Sequence, residues 1–385
     1  MNEKRLPQRL KTFDAIMSAF DRKEPFARFL GQYFKENKQM GSSDRRVASR
    51  LTYNFFRSGN AFQEFPVHQR LALGEFLCEE DSNFANLLFP ELEGQVNESL
   101  ENKIKFCEEH FDFNLESLFP LSDSVSDQID KEAFFRSHFI QPDLFIRIHP
   151  GKEANVKVVL KNAKISFQEL EENVLAFANG TKLDQVKEIQ GKYEVQDYSS
   201  QLTSQLFKAE EGESWWDACA GSGGKSIPLM HQQPKVRLMV SDIRNSILRN
   251  LDERFTKAGI SQYRRKVLDL TKENSILKEE FFDGIILDAP CSGSGTWGRT
   301  PEMLTNFDQD KLDHYSSLQK EILDNVIHHL KPGKPLIYIT CSVYTQENEQ
   351  VVQYLEEKGL KLEKMEYFKG YERKGDTLFA ARLIK

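Results

Sequence analysis

The 385-residue chain is poor in cysteine, with five in all, at positions 78, 107, 219, 291 and 341. No two stand as C-x-x-C, which argues against a zinc site. Nothing in their spacing suggests a disulfide framework, so reduced thiols and a cytoplasmic location are expected. Long apolar runs are also missing: none approaches the ~18 residues that cross a bilayer. The first residues, MNEKRLPQRLKTFD, are too charged for a signal peptide, and no membrane partner is expected. Two common phosphate-binding loops are absent as well. The GxxxxGK[ST] spacing fails, and so does a clean GxGxxG, which disfavours nucleotide triphosphatases and nicotinamide enzymes. No internal repeat or low-complexity segment appears.

Positive charge is scarce overall, since the formal net charge is −7. That excludes a generic polycation that coats nucleic acid. The balance is uneven, however. Residues 1–60 hold 13 Lys+Arg against 6 Asp+Glu, and the other 325 residues hold 39 against 53. A basic N-terminal stretch on an acidic chain is suited to contacting phosphate, or simply to solvating helix faces.

The length predicts two or three domains. Residues 1–135 read as helical: apolar positions recur at three and four in LKTFDAIMSAF and VASRLTYNFFR. Ser42, Ser43 and Asp44 are expected to cap the second of these. LFPLSDSVSDQ, at 118–128, reads as a boundary. Residues 136–205 change texture to short β-branched and aromatic runs (DLFIRIHP, AKISFQEL, VLAFA, KYEVQD) around one helical run, EANVKVVLKNA, and predict a small α+β module. From 206 to 385, apolar runs alternate with helical patterns: SWWDAC, VRLMVSD, RRKVLDL, FDGIILDAP, KPLIYITCS and TLFAARLI. This alternation predicts an α/β fold with a mainly parallel, doubly wound sheet, whose ligands sit beyond the carboxyl ends of the strands.

Those strand ends carry a pattern. The first runs into DACAGSGGKS, residues 217–226, where small residues let the backbone turn and approach a ligand. The second ends in Asp242, the third near Asp269 and the fourth in Asp288. A carboxylate at the end of the second strand can accept from both hydroxyls of a ribose, and the third can reach an adenine amino group. Four aspartates in sheet order predict a nucleoside site. Two strands also lead into cysteine: the fourth into Cys291 in LDAPCSGSGTWGRTPE, and a later one into Cys341 in YITCS. A cysteine at a strand end is usually a small buried hydrophobe. Here both are flanked by Gly, Ser and Thr, and two thiols aimed at one cleft suit a covalent step followed by a proton transfer.

With DACAGSGGKS, LDAPCSGSG, YITCSVYTQENEQVV, GDTLFAARLIK and the upstream VQDYSSQ, the chain resembles the RsmB/Nop/Sun family of RNA 5-methylcytosine methyltransferases over residues 140–385. Residues 1–60 weakly resemble that family's NusB-like RNA-binding helical domain. The resemblance implies a Rossmann-like class I methyltransferase domain with a seven-stranded sheet, S-adenosylmethionine as cofactor and RNA as partner. Ribosomal RNA is the implied substrate, with transfer RNA as an alternative. The N-terminal helices and the α+β module would read the RNA, and the protein would act as a monomer. It further implies that Cys341 is the nucleophile that adds to carbon 6 of cytosine. Cys291 would remove the carbon 5 proton or release the product, Asp288 would hold the base edge, and Lys225 would support Asp288. DNA cytosine methyltransferases resemble this chemistry but use the Pro-Cys of the fourth motif as nucleophile.

The cofactor would rest on Cys219, Ala220, Gly221, Gly223, Gly224 and Lys225, with Asp242, Arg244, Asp269 and Asp288 at the neighbouring strand ends. Arg299 and Pro301 are expected to touch RNA, and Glu347 and Asn348 to order the loop after Cys341. The sequence departs from the family where Gly221-Ser222 replaces the usual Ala-Pro, and where Gly298 precedes a single Arg299. The competing readings are a methyltransferase acting on another substrate class and a non-catalytic RNA-binding assembly factor.

Overall fold

The computed structural model describes residues 5–80, 83–273 and 277–385. They form two compact units. The first holds residues up to Asp123, together with 130–141 and 297–308; the second holds 124–129, 142–296 and 309–385.

The first unit is helical: α1 (Leu6–Ala19), α2 (Phe26–Glu36), α3 (Ser42–Arg57), α4 (Val67–Cys78), α5 (Asn83–Leu88), α6 (Leu100–His110) and α7 (Lys131–Ser137). Phe13, Ile16, Phe26, Leu51 and Phe56 are buried together. Phe26 meets Phe20 and Phe56 edge-on at 5.0 and 4.9 Å, the geometry that aligns ring edges with ring faces. The expected capping by Ser42, Ser43 and Asp44 is corrected. Gly41 is the N-cap and makes no side-chain bond, while Asp44 lies in the first turn and favours the helix dipole from inside. At the other end of α3, buried Arg57 donates to the carbonyl of His138 at 2.6 Å and to Gln141 Oε1 at 3.2 Å, satisfying acceptors just past α7. Residues 297–308 join this unit by contacts no local pattern announces. Glu302 Oε1 accepts from the Phe26 backbone N–H at 3.0 Å, and the Trp297 ring lies 5.1 Å from that of Phe119.

The second unit contains two sheets. The small one is antiparallel, in the order β2-β3-β1-β4, from β1 (Leu144–Ile148), β2 (Gln168–Glu171), β3 (Val174–Phe177) and β4 (Tyr193–Val195). Helix α8 (Glu153–Asn162) buries Val156 and Leu160 in one cluster with Ile146, Ile148 and Leu175. Helix α9 (Tyr198–Leu202) then leads to the large sheet. Its elements are β5 (Ser214–Asp217), α10 (Ser226–Gln232), β6 (Arg237–Asp242), α11 (Asn245–Lys257), β7 (Tyr263–Val267), β8 (Gly284–Asp288), α12 (Gln309–Val326), β9 (Pro335–Thr340), α13 (Glu349–Glu357), β10 (Lys361–Lys369) and β11 (Thr377–Ile384).

The strand order is β10-β11-β9-β8-β5-β6-β7, with β5 to β9 parallel and the β10–β11 hairpin antiparallel. Every residue of β9 is buried, as a central parallel strand covered on both faces requires. The winding reverses between β5 and β8, so a crevice opens beyond their carboxyl ends. The segment at 124–129, read as a boundary, pairs with this unit: Val125 bridges Tyr344, and the Ser126 N–H donates to the Val343 carbonyl at 2.9 Å.

Gly295 shows how tightly the strand ends are packed. A Cβ there would lie 2.0 Å from the Thr377 carbonyl oxygen. Backbone must shift to admit it, so Gly295→Ala should lower the unfolding free energy by about 3 kcal/mol. A urea transition at the wild-type midpoint would contradict this packing.

Candidate functional site

The two cysteines sit on neighbouring parallel strands. Asp288 of β8 pairs with Ile339 of β9, and the Ala289 N–H donates to the Ile339 carbonyl at 2.9 Å. Cys291 lies three residues beyond Asp288 and Cys341 one beyond β9. Their sulfurs are 3.4 Å apart and both are free thiols. The loops that carry them are tied by backbone and serine. The Gly295 N–H donates to the Cys341 carbonyl at 2.9 Å, and the Val343 N–H donates to Ser294 Oγ at 2.9 Å.

Beneath both loops lies the fully buried Glu347. Its carboxylate accepts from the Ser292 N–H at 2.7 Å, from Ser292 Oγ at 2.5 Å and from Ser342 Oγ. Gln319 of α12 donates to the Pro290 carbonyl at 3.0 Å, fixing the turn before Cys291. Asn348 bonds the Ser342 carbonyl at 2.9 Å and Thr340 Oγ1 at 2.5 Å. Burial raises the Glu347 pKa, against the pull of its serine donors. The Cys291 thiol is pushed well above the ordinary range, first by its hydrogen bond to Cys341 and then by burial. Cys291 therefore keeps its proton, 3.4 Å from the Cys341 sulfur.

Asp288 and Lys225 meet at the next strand end. Lys225 Nζ is 3.1 Å from Asp288 Oδ2 and 2.8 Å from Ser200 Oγ; the Lys225 side chain is buried, while Asp288 is half-exposed. A buried ammonium held by one carboxylate and one hydroxyl fixes that carboxylate in place and leaves its other oxygen to the crevice.

The glycine loop follows β5. The Ala220 N–H donates to the Ser241 carbonyl at 2.8 Å, and the Gly223 N–H to the Ala220 carbonyl at 2.8 Å. Gly223 has φ +86°, and a Cβ on it would lie 2.6 Å from the Phe255 ring. Among the described residues, apart from their chain neighbours, Gly221 (φ +52°) and Gly224 instead have nothing within 4 Å of where a Cβ would stand, so the loop is packed below and open above. Cys219 is pushed up by burial and then by Asp217, and remains a neutral thiol.

At β6, Asp242 is buried and already engaged: it accepts from the Gly221 N–H at 3.1 Å, the Arg244 N–H at 2.9 Å and Arg244 Nε at 3.2 Å. A ribose there must share this carboxylate with Arg244. Asp269 accepts from the Thr271 N–H at 3.1 Å and pairs with Lys272 at 3.2 Å. Directly after Asp242, Ile243 is 60% exposed, an apolar side chain at the end of β6. Sequence reading passed over it, although an apolar residue directly after a strand-ending aspartate was the available signal. An open backbone cradle, a carboxylate and an exposed apolar face in succession fit a nucleoside with a charged tail. Arg299 and Pro301 belong to the segment that joins the helical unit.

Residues 204–380 match the family model described as 16S rRNA methyltransferase RsmB/F. This segment belongs to that family. A curated relative, the ribosomal RNA small subunit methyltransferase B of Pectobacterium atrosepticum, is 31% identical over 208 residues, covering 54% of this chain and 48% of the relative. The chain thus spans about half the length of that relative. Among solved structures, PH0851 aligns over 97% of both chains with a TM-score of 0.72 at 22% identity. NSun6 from Pyrococcus horikoshii, solved with SFG, aligns over 66% of this chain and 94% of its own with a TM-score of 0.59 at 16% identity. Both share the fold.

One carboxylate under the site gives a pH test. Asp217 is fully buried; Ser226 Oγ donates to its Oδ2 at 2.6 Å, and Oδ1 has no partner among the described residues. Burial, with Asp288 adding repulsion, pushes its pKa up to about 7. The folded chain thus holds a proton that the unfolded chain releases near pH ~4. The stability this contributes is complete below that pH and is lost as pH rises to about 7. Between pH 4.5 and 7.5 the wild type should lose a few kcal/mol relative to Asp217→Asn in urea unfolding. Parallel pH profiles for the two proteins would contradict it.

Proposed function

We propose that this chain is an S-adenosylmethionine-dependent methyltransferase acting on carbon 5 of a cytosine in ribosomal RNA, through a covalent bond between Cys341 and the base. The observation that carries the proposal is the pair of thiols 3.4 Å apart at the ends of β8 and β9, beside the Lys225–Asp288 pair. The family of residues 204–380 and the names of its relatives support the reaction class. SFG, held by the structural neighbour NSun6, is an analogue of S-adenosylmethionine.

The cofactor's residues would be the open backbone from Cys219 to Gly224, with Asp242, Arg244, Ile243 and Asp269 toward its nucleoside end. When bound it supplies an electrophilic methyl group. The protein's own residues supply the nucleophile, because carbon 5 of cytosine is a weak one. The Cys341 thiolate adds to carbon 6 and makes carbon 5 enamine-like. Cys291, still protonated, donates to the Cys341 sulfur and favours charge there before attack. Asp288, clamped by Lys225, bonds the base edge as the ring gains charge. The carbon 5 proton and the Cys341–carbon 6 bond must then be lost together: Cys291 passes its own proton to the departing Cys341 sulfur and takes the carbon 5 proton in its place, so that both cysteines end as thiols. A base can reach such a crevice only when unstacked, so the RNA must present it in a loop or flip it out.

The roles separate by mutation. Cys341→Ala should abolish methyl transfer to RNA, whereas Cys291→Ala should accumulate a covalent protein–RNA complex on denaturing gels. Full activity in Cys341→Ala overturns the nucleophile assignment. Lys225→Met should lower kcat about 100-fold, since it frees the carboxylate that stabilises developing charge; an unchanged kcat removes Lys225 from the mechanism. Bisulfite mapping of RNA from cells lacking the protein should show one ribosomal methylcytosine missing. Loss from transfer RNA instead would move the substrate, and no loss would refute the reaction.

A further inference from the structure

The loop Gly221-Ser222-Gly223-Gly224 has three glycines in four positions, and each loses much backbone entropy on being fixed. Something must therefore hold it, and the structure shows the small sheet's last strand reaching over to do so. Glu194 of β4 accepts from Arg254 Nε at 2.9 Å and from Arg254 Nη2 at 2.7 Å, and the same guanidinium donates through Nη1 to the Ser222 carbonyl at 3.0 Å and to Ser222 Oγ at 2.7 Å. Two residues on, Gln196 Nε2 donates to the Gly224 carbonyl at 2.8 Å. Ser200, in α9, takes the Lys225 ammonium at 2.8 Å. Residues 224 and 225 are thus gripped directly by one short segment, and residue 222 through Arg254, which that segment holds.

The grip is itself anchored. His149, just after β1, pairs with the other oxygen of Glu194 at 3.2 Å. Burial disfavours the Glu194 carboxylate, but His149 and Arg254 outweigh it and hold its pKa below the usual value. Arg147 of β1 donates to Gln196 Oε1 at 3.1 Å, which turns the amide so that its NH2 faces Gly224. Arg147 also meets His231 Nδ1 at 3.0 Å; that ring stays neutral, with a pKa of about 4 from burial and the adjacent guanidinium, and so can accept.

We propose that Glu194, Gln196 and Ser200, with Arg254 as relay, are positioning residues that set the shape of the 221–225 loop for cofactor binding. This rests on the reading above that the loop receives S-adenosylmethionine. The segment would act on cofactor affinity without touching the reacting atoms. The hydroxyl of Ser222 gives the relay a second acceptor on the loop.

The test measures S-adenosylmethionine binding to the full chain by titration calorimetry, with steady-state KM and kcat on RNA. Arg254→Gln should weaken cofactor binding about tenfold, the effect of losing the charge-assisted hydrogen bonds that Nη1 gives Ser222. KM for the cofactor should rise in parallel, with kcat at saturating cofactor and KM for RNA retained. Ser222→Ala, which removes only the hydroxyl, should weaken binding about threefold. Arg265→Gln, which breaks the 2.8 Å Arg265–Asp252 pair against the same helix without reaching the loop, should bind as wild type. If Arg254→Gln does not fold, Ser222→Ala decides. Wild-type affinity in Ser222→Ala and Arg254→Gln, or an equal loss in Arg265→Gln, overturns the positioning role alone. A wild-type chain that binds no S-adenosylmethionine overturns the functional reading and this inference with it.

Discussion

Two sulfur atoms stay 3.4 Å apart because one buried carboxylate holds the loops that carry them. Glu347 follows β9, yet it bonds Ser292, next to Cys291, as well as Ser342, next to Cys341. A carboxylate removed from water is costly unless its lone pairs are filled, and here they are filled by neutral hydroxyl and amide donors from both loops. Either loop moving away would leave the carboxylate unsatisfied, so the two thiols are fixed relative to each other. The same constraint explains the small residues around both cysteines. Gly295 touches the Thr377 carbonyl, and the serines are donors to Glu347 or to one another, leaving no space for bulk.

Much of this was legible in the sequence because it depends on short segments. Apolar runs ending in Asp217, Asp242, Asp288 and Cys341 became β5, β6, β8 and β9, and the aspartates stand at the expected ends. Strand β10 was not legible. Its KLEKMEYFK pattern mixes charges with half-exposed positions, and only pairing with β11 makes it a strand. The caps proposed for α3 fell one to three positions inside the helix because Gly41 reaches the cap conformation without help from a side chain. The return of 297–308 to the helical unit could not be read either, since Phe26 and Glu302 lie 276 positions apart. Asp242 was placed correctly as a strand end, but its engagement by Gly221 and Arg244 appears only in three dimensions.

The glycine loop shows a second division of labour. Below, Gly223 packs on Phe255 and cannot carry a side chain; above, Gly221 and Gly224 leave the backbone open. A loop open on one side gains its shape from whatever contacts its other side, and those contacts come from β4, α9 and α11. The chain therefore builds its proposed cofactor site from the large sheet and its brace from the small one.

The central claim is that the two thiols have different jobs, with Cys341 forming the bond to the base. The most direct measurement uses wild-type protein and RNA containing 5-fluorocytidine at the target position, where the carbon–fluorine bond blocks elimination and preserves the adduct. After protease and nuclease digestion, mass spectrometry should find the nucleotide on the peptide containing Cys341. A nucleotide on the peptide containing Cys291 would contradict the account.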